Sequence, residues 1–141
     1  MSGADTETLV HGTAVSLHGA GVLITGKSGS GKSTLALELI ALGATLVSDD
    51  QVHLTRKGDG LLMRAPKALQ HRIEARGLGI LDAPSAPAWA RMVIDLDASE
   101  TERLPKTRET VILNTPLPLI RRVESPAFAS MLYVLLKRGI A

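Results

Sequence analysis

Gly21-Val22-Leu23-Ile24-Thr25-Gly26-Lys27-Ser28-Gly29-Ser30-Gly31-Lys32-Ser33 runs from an apolar strand through a glycine-rich loop to the start of a helix. Residues 26–33 form a complete Walker A sequence, and both flanking elements that such a loop needs are present. Glycines let the backbone curl round an anion, and the following helix aims its unpaired N–H groups at it. The spacing sends the Lys32 ammonium toward the β- and γ-phosphates and the Ser33 hydroxyl toward Mg²⁺. Gly26, Ser28, Gly29, Ser30, Gly31, Lys32, Ser33 and Thr34 are therefore the candidate contacts for a nucleoside triphosphate, with ATP and Mg²⁺ as the expected cofactors.

Outward from this loop, the pattern Leu9 to Leu17 alternates as a strand and should form a hairpin with Gly21–Thr25 across His18–Gly21. After it, Lys32 to Leu42 reads as a helix with a stripe of Leu35, Leu39 and Leu42, widened by Ala36 and Ile40, and Gly43 stands at its C′ position. Further strands are expected at Thr45–Ser48, Gln51–Thr55, Leu61–Arg64, Arg91–Leu96, Thr110–Leu113 and Leu117–Val123, with a closing helix at Ala127–Lys137. Ala65–Gly79 reads as irregular or briefly helical. So many strands with so few helices point to an α/β fold: one P-loop domain with a mixed, mostly β-rich sheet, not a purely parallel doubly wound one. Residues 1–8 read as a flexible tail and 9–141 as a single domain.

Composition narrows the function classes. The chain has 141 residues, a formal net charge of +2, 45% hydrophobic residues and only 2% aromatic ones. Dispersed Lys and Arg with so few aromatics argue against a nucleic-acid groove. No apolar run approaches the length of a membrane span, so no membrane partner is expected. The absence of cysteine removes disulfides and thiolate metal sites and suits a cytoplasmic protein.

Three constellations could carry chemistry. Asp49-Asp50 closes the strand after the P-loop helix, where an acid commonly approaches the metal or the attacking group. Adjacent acids on an extended chain point oppositely, so at most one faces the phosphate directly, and the other binds metal-bound water or orients a partner. Glu74-Ala75-Arg76-Gly77-Leu78-Gly79 could add a carboxylate to the metal and a guanidinium to phosphate oxygens, although a surface loop with a salt bridge explains it equally well. His11 lies on the more apolar face of its strand, where a satisfied core residue is the commoner reading, and its place one strand from the loop could bring it near the nucleotide or near Asp49. Among the remaining basic residues, Arg121-Arg122 could meet phosphate or an acidic partner, with a solvated face as the first reading, and Lys137-Arg138 suits the negative end of the last helix.

Taken together, His11-Gly12, the P-loop, Leu46-Val47 with Asp49-Asp50, and Ile73-Glu74-Ala75-Arg76-Gly77-Leu78-Gly79-Ile80 resemble the catalytic domain of HPr kinase/phosphorylase, in its short α-proteobacterial form. The resemblance runs from His11 to about Ile80. It implies a phosphoenolpyruvate carboxykinase-like fold and an ATP-dependent protein-serine kinase whose partner is an HPr-like phosphocarrier, with reverse phosphorolysis and a homo-oligomer (a hexamer in the family) as further family traits. It assigns Asp49 as the acid/base, His11 as its tuner, Arg76 beside the transferred phosphoryl group and Lys32 on the phosphates. Ser33 and Glu74 would hold Mg²⁺, with Asp50 supporting the metal. The chain departs from the family in Thr34, where a glutamate is usual, and in its C-terminal stretch Leu119–Glu124. Two other classes remain open on the residues alone: a small-molecule phosphotransferase on a carboxykinase-like scaffold, and a non-catalytic nucleotide-binding sensor.

Overall fold

A computed structural model describes residues 6–139. Eleven strands and two helices follow in the order β1 (Glu7–His11), β2 (Thr13–Leu17), β3 (Ala20–Thr25), α1 (Lys32–Ala41), β4 (Thr45–Ser48), β5 (Gln51–Lys57), β6 (Gly60–Arg64), β7 (Arg72–Ala75), β8 (Gly79–Asp82), β9 (Ala88–Ser99), β10 (Arg108–Ile112), β11 (Thr115–Arg122) and α2 (Phe128–Arg138). Nine strands share one sheet in the order β1-β5-β6-β9-β3-β2-β4, with β11 also on β9 and β10 on β11. The pairs β3–β9 and β11–β9 are parallel, and every other pair is antiparallel. This is the mixed, strand-rich α/β architecture expected from the element count.

The twelve-residue β9 is the axis of the sheet. Its first residues pair with β6, and its remainder lies between β3 and β11, so the sheet curls about it. Alternation along the strands then fills two cores. Val15, Leu17, Val22, Ile24 and Ile94 face α1 and α2, where Leu35, Leu39, Phe128 and Leu132 meet them. Ala14, Leu23 and Val93 point the other way, into the curl, against Val47, Val52, Leu54, Leu61 and Met63. Both faces of the central strands are thus covered, which explains the continuous apolar run of β3.

Several expected boundaries move. The single strand Leu9–Leu17 is two: the chain bends at Gly12, β1 pairs with β5, and only β2 forms the hairpin with β3. A Cβ on Gly12 would come within 2.8 Å of the Ile24 carbonyl oxygen, so glycine alone lets the strands approach there. The His18-Gly19 turn has positive φ at both positions, 51° and 80°, the primed geometry that matches strand twist. Of the tail expected over 1–8, residues 1–5 lie outside the described ones, whereas Glu7 and Thr8 are already in β1, paired with Thr55 and Leu54. The stretch read as irregular or briefly helical has a single 3-10 turn at Lys67–Leu69, and it also holds β7, which pairs with β8 in a separate two-stranded sheet.

Helix α1 ends as its glycine indicates. The Ala44 N–H donates to Leu39 O and the Gly43 N–H to Ile40 O, both at 2.9 Å, the paired bonds of a Schellman cap. Leu42, expected in the buried stripe, is the C-cap residue and 41% exposed. The polar segment after β9 is pinned by Glu100, whose carboxylate accepts two bonds from the Arg108 guanidinium and two from the Thr101 and Glu102 amides. Arg108 holds the Glu100 carboxyl below its ordinary value of 4.5. A lowered folded value stabilises above the ordinary one and loses that effect as pH falls through the folded one. Hydrogen exchange at Thr101 and Glu102, corrected for intrinsic rate, is accordingly expected to lose protection only on acidification below the usual carboxylate range.

Candidate functional site

The P-loop leaves the C-terminal end of β3 and enters α1 through Gly31, whose φ of 100° is open to glycine and costly for a Cβ-bearing residue. No side chain caps the first turn of α1, so its N–H groups stay available to an anion. The loop is held from within and from outside. Lys32 Nζ donates to Gly26 O at 2.7 Å and to Lys27 O at 3.0 Å, which arches the side chain across the loop. Asp97, beyond the end of the β3–β9 pairing, accepts the Lys27 N–H at 3.0 Å. Arg122 donates through Nε to Leu96 O at 3.2 Å and through Nη2 to Ser30 O. Between Arg121 and Arg122 the pairing with β9 shifts from Asp95 to Ser99, with the extra residues on β9.

An open cleft of about 710 Å³ lies along the loop. It brings together Ser28, Gly29, Gly31, Lys32, Ser33 and Thr34 with His11, Asp49, Asp50, Glu74 and Arg76. Of the expected phosphate contacts, Gly26 and Ser30 do not line it: their carbonyls serve Lys32 and Arg122 instead. The Ser30 hydroxyl is buried without a hydrogen-bond partner among the described residues. The Glu74–Arg76 segment reaches the cleft as the end of β7 and the turn into β8, where Gly77 and Gly79 take φ of 93° and 126°.

The two aspartates part sharply. Asp49 is buried, and its Oδ1 accepts the Ser33 hydroxyl at 2.6 Å and the Thr13 hydroxyl at 2.9 Å, while Oδ2 accepts the Glu74 N–H at 3.0 Å. Both oxygens are therefore engaged, and the carboxylate ties β2, α1 and β7 together. Asp50 has φ of 73°, a left-handed conformation that Asp tolerates better than most residues, and its side chain is 63% exposed. Its Oδ1 lies 3.6 Å from His11 Nδ1. His11, which the resemblance assigned to Asp49, thus has its ionic contact with Asp50, and it is exposed rather than on an apolar face. The Gly12 N–H donates to Asp50 O at 3.1 Å, fixing the two segments side by side.

Among the described residues no three His, Asp or Glu side chains converge as a ready metal cage. The donors present still suit Mg²⁺, which binds through few protein oxygens, phosphate and water. Ser33 can offer a lone pair to a metal while its hydroxyl still donates to Asp49, and Glu74 lines the same cleft. The sequence reading gives neither Thr13 nor Asp97 a role, and it places Arg122 only in a pair taken first as solvated. Nothing in a strand's alternation marks a buried threonine as a carboxylate's partner. His71 and His53 take structural roles, His71 Nδ1 accepting the Ser85 N–H at 2.9 Å and His53 Nδ1 the Arg64 Nε–H at 3.2 Å.

The HPr Serine kinase C-terminal domain family matches residues 4–89. HPr kinase/phosphorylase of Geobacillus kaustophilus is 42% identical over 125 residues, 79% of this chain and 40% of that protein. Its counterpart from Exiguobacterium sibiricum is 51% identical over 76 residues, 53% of this chain and 24% of the relative. The chain therefore spans between a quarter and two-fifths of the length of these relatives. The structure of the Hpr(Ser) kinase/phosphatase from Coxiella burnetii superposes with a TM-score of 0.78 at 26% identity, covering 92% of this chain and 94% of that one. With its family match reaching over the P-loop, both aspartates and the Glu74–Arg76 turn, the chain belongs to the HPr serine kinase C-terminal domain family.

Proposed function

We propose that this domain transfers the γ-phosphoryl group of ATP to a seryl hydroxyl of an HPr-like phosphocarrier in the cytoplasm. The observation that carries this reading is the division of labour in one cleft. A buried aspartate is bonded to the P-loop serine, and an exposed aspartate stands beside a histidine. Lys32 and the α1 amides bind the phosphates, and Mg²⁺ held by Ser33 and Glu74 would neutralise charge on the β- and γ-oxygens.

Asp50, rather than Asp49, is the base in this reading. Its carboxylate takes the seryl proton as the seryl oxygen bonds to the γ-phosphorus and the bond to the β–γ bridging oxygen breaks, releasing ADP. Asp49 cannot serve without surrendering bonds to Thr13, Ser33 and Glu74, whereas Asp50 faces the cleft unencumbered apart from His11. His11 positions the Asp50 side chain, and Arg76 meets the transferred group.

Incubation with γ-labelled ATP, Mg²⁺ and an HPr protein tests the reading. Label on one serine of HPr is expected. Label appearing only on a small metabolite, or no transfer despite tight ATP binding, contradicts it. The P-loop tether gives a separate expectation. Arg122→Ala should weaken ATP and inorganic tripolyphosphate alike by about tenfold, since one charge-assisted bond to the loop is lost. Calorimetric titration with both ligands measures this.

A further inference from the structure

A separate cleft, of about 480 Å³, is lined in part by the 3-10 turn Lys67–Leu69 and the residues after it. This segment divides two spaces: Leu69 and Arg72 line the P-loop cleft, whereas Lys67, Gln70 and His71 line the separate one. Arg64, at the end of β6, and Ser85, in the loop between β8 and β9, complete its polar lining. Val47 and Pro87 add apolar surface. The volume falls within the roughly 300–1,000 Å³ usual for small-molecule sites.

The two clefts differ in charge. The P-loop cleft carries the carboxylates of Asp49, Asp50 and Glu74 beside its cations, which suits phosphates that arrive with a metal. Among the described residues no Asp or Glu lines the separate cleft, although the formal net charge of the whole chain is only +2. Its donors are also uncommitted. Arg64 gives its Nε–H to His53 Nδ1 at 3.2 Å, and its two Nη groups make no bond among the described residues. The side chains of Lys67 and Gln70 make no hydrogen bond or ion pair there either.

His71 is fixed on three sides. Its backbone is left-handed, with φ of 63°, an uncommon state outside glycine. Its N–H donates to Ser85 Oγ at 3.0 Å, its carbonyl accepts the Ala83 N–H at 3.0 Å, and its Nδ1 accepts the Ser85 N–H at 2.9 Å. Because Nδ1 accepts an N–H, the neutral ring carries its proton on Nε2, which adds a donor.

We infer that this cleft binds a doubly charged phosphate oxyanion without a metal, either inorganic phosphate or the phosphoryl group of a monoester. A carboxylate presents its oxygens in one plane, whereas a phosphate presents them around a tetrahedron. The latter suits donors arriving from the end of β6, from the 3-10 turn and from the residue ahead of β7. Neither nucleotide nor Mg²⁺ is needed for this binding.

The chain, labelled with ¹⁵N and held in EDTA at constant ionic strength, is titrated with inorganic phosphate, with glycerol 1-phosphate and with sodium chloride while its amide resonances are followed by NMR. Saturating shifts at the His71, Ser85 and Ala86 amides are expected with the phosphates, with a midpoint distinct from that of any shifts at residues 29–33. Arg64→Glu and Lys67→Glu, both at exposed positions, should each weaken that binding at least about tenfold, since a charge-assisted bond gives way to repulsion. Both should leave the midpoints at residues 29–33 within about twofold. Tighter binding of the ester identifies a phosphorylated metabolite as the occupant, and equal or weaker binding identifies the free ion. Shifts confined to the P-loop, shifts that chloride reproduces, or midpoints that neither reversal moves overturn the site.

Discussion

Asp50→Asn is expected to bind Mg²⁺–ATP within about twofold of the parent chain and to phosphorylate HPr some 10²–10⁴-fold more slowly, the range for loss of a general base. The exposed side chain makes a single close ionic contact, to His11, so the amide should fit without disturbing the fold. The deficit belongs in kcat, because the lost interaction acts as the seryl proton moves and not when nucleotide binds. A variant with near-parental kcat would remove Asp50 from the chemistry. His11→Ala should fall between the two, since it removes the neighbour that orients the base and leaves the base itself.

Asp49→Asn should behave in the opposite way. The carboxylate is buried and accepts from two hydroxyls and one amide. An amide can keep its oxygen on the Glu74 N–H only by turning its nitrogen to Ser33 and Thr13, whose hydroxyls must then accept where they donated, and all three bonds lose their charged acceptor. A bond to a charged acceptor is worth about 1 kcal/mol more than a neutral one, so the fold should lose about 3 kcal/mol, readable as a shifted urea midpoint. Binding should suffer as well, because Ser33 loses the acceptor that turns its lone pair toward a metal. The pair of variants therefore separates the aspartates: one fails in transfer with stability intact, the other fails in stability and Mg²⁺-dependent binding. Parental stability for Asp49→Asn would mean that the three bonds do not operate in solution.

How far the residues alone reach depends on whether a feature is local. The strand, loop and helix of residues 21–41 could be read directly, because glycine spacing and apolar periodicity are properties of one segment. Gly43 announced its cap for the same reason. Residues 73–80 were read as carrying chemistry but not as the hairpin β7–β8, because glycines at 77 and 79 look the same in a loop as in a strand-joining turn. The aspartates could be located and not told apart. Which one turns inward is decided by the left-handed backbone at Asp50 and by Thr13 and Glu74, distant in sequence. The direction of Arg122 was out of reach for a related reason: it is set by bonds to the carbonyls of Leu96 and Ser30, both distant in sequence. The break at Gly12 likewise depends on a carbonyl of β3 that no alternation pattern reveals.

The division of labour between the aspartates is open to direct observation in crystals of the chain grown with Mg²⁺ and a non-hydrolysable ATP analogue. Ser33 Oγ should coordinate the metal while its hydroxyl still donates to Asp49, with the Asp50 carboxylate beside His11 and turned toward the terminal phosphate. Electron density showing Asp49 released from Ser33 and facing that phosphate, with Asp50 directed into solvent, would reverse the assignment.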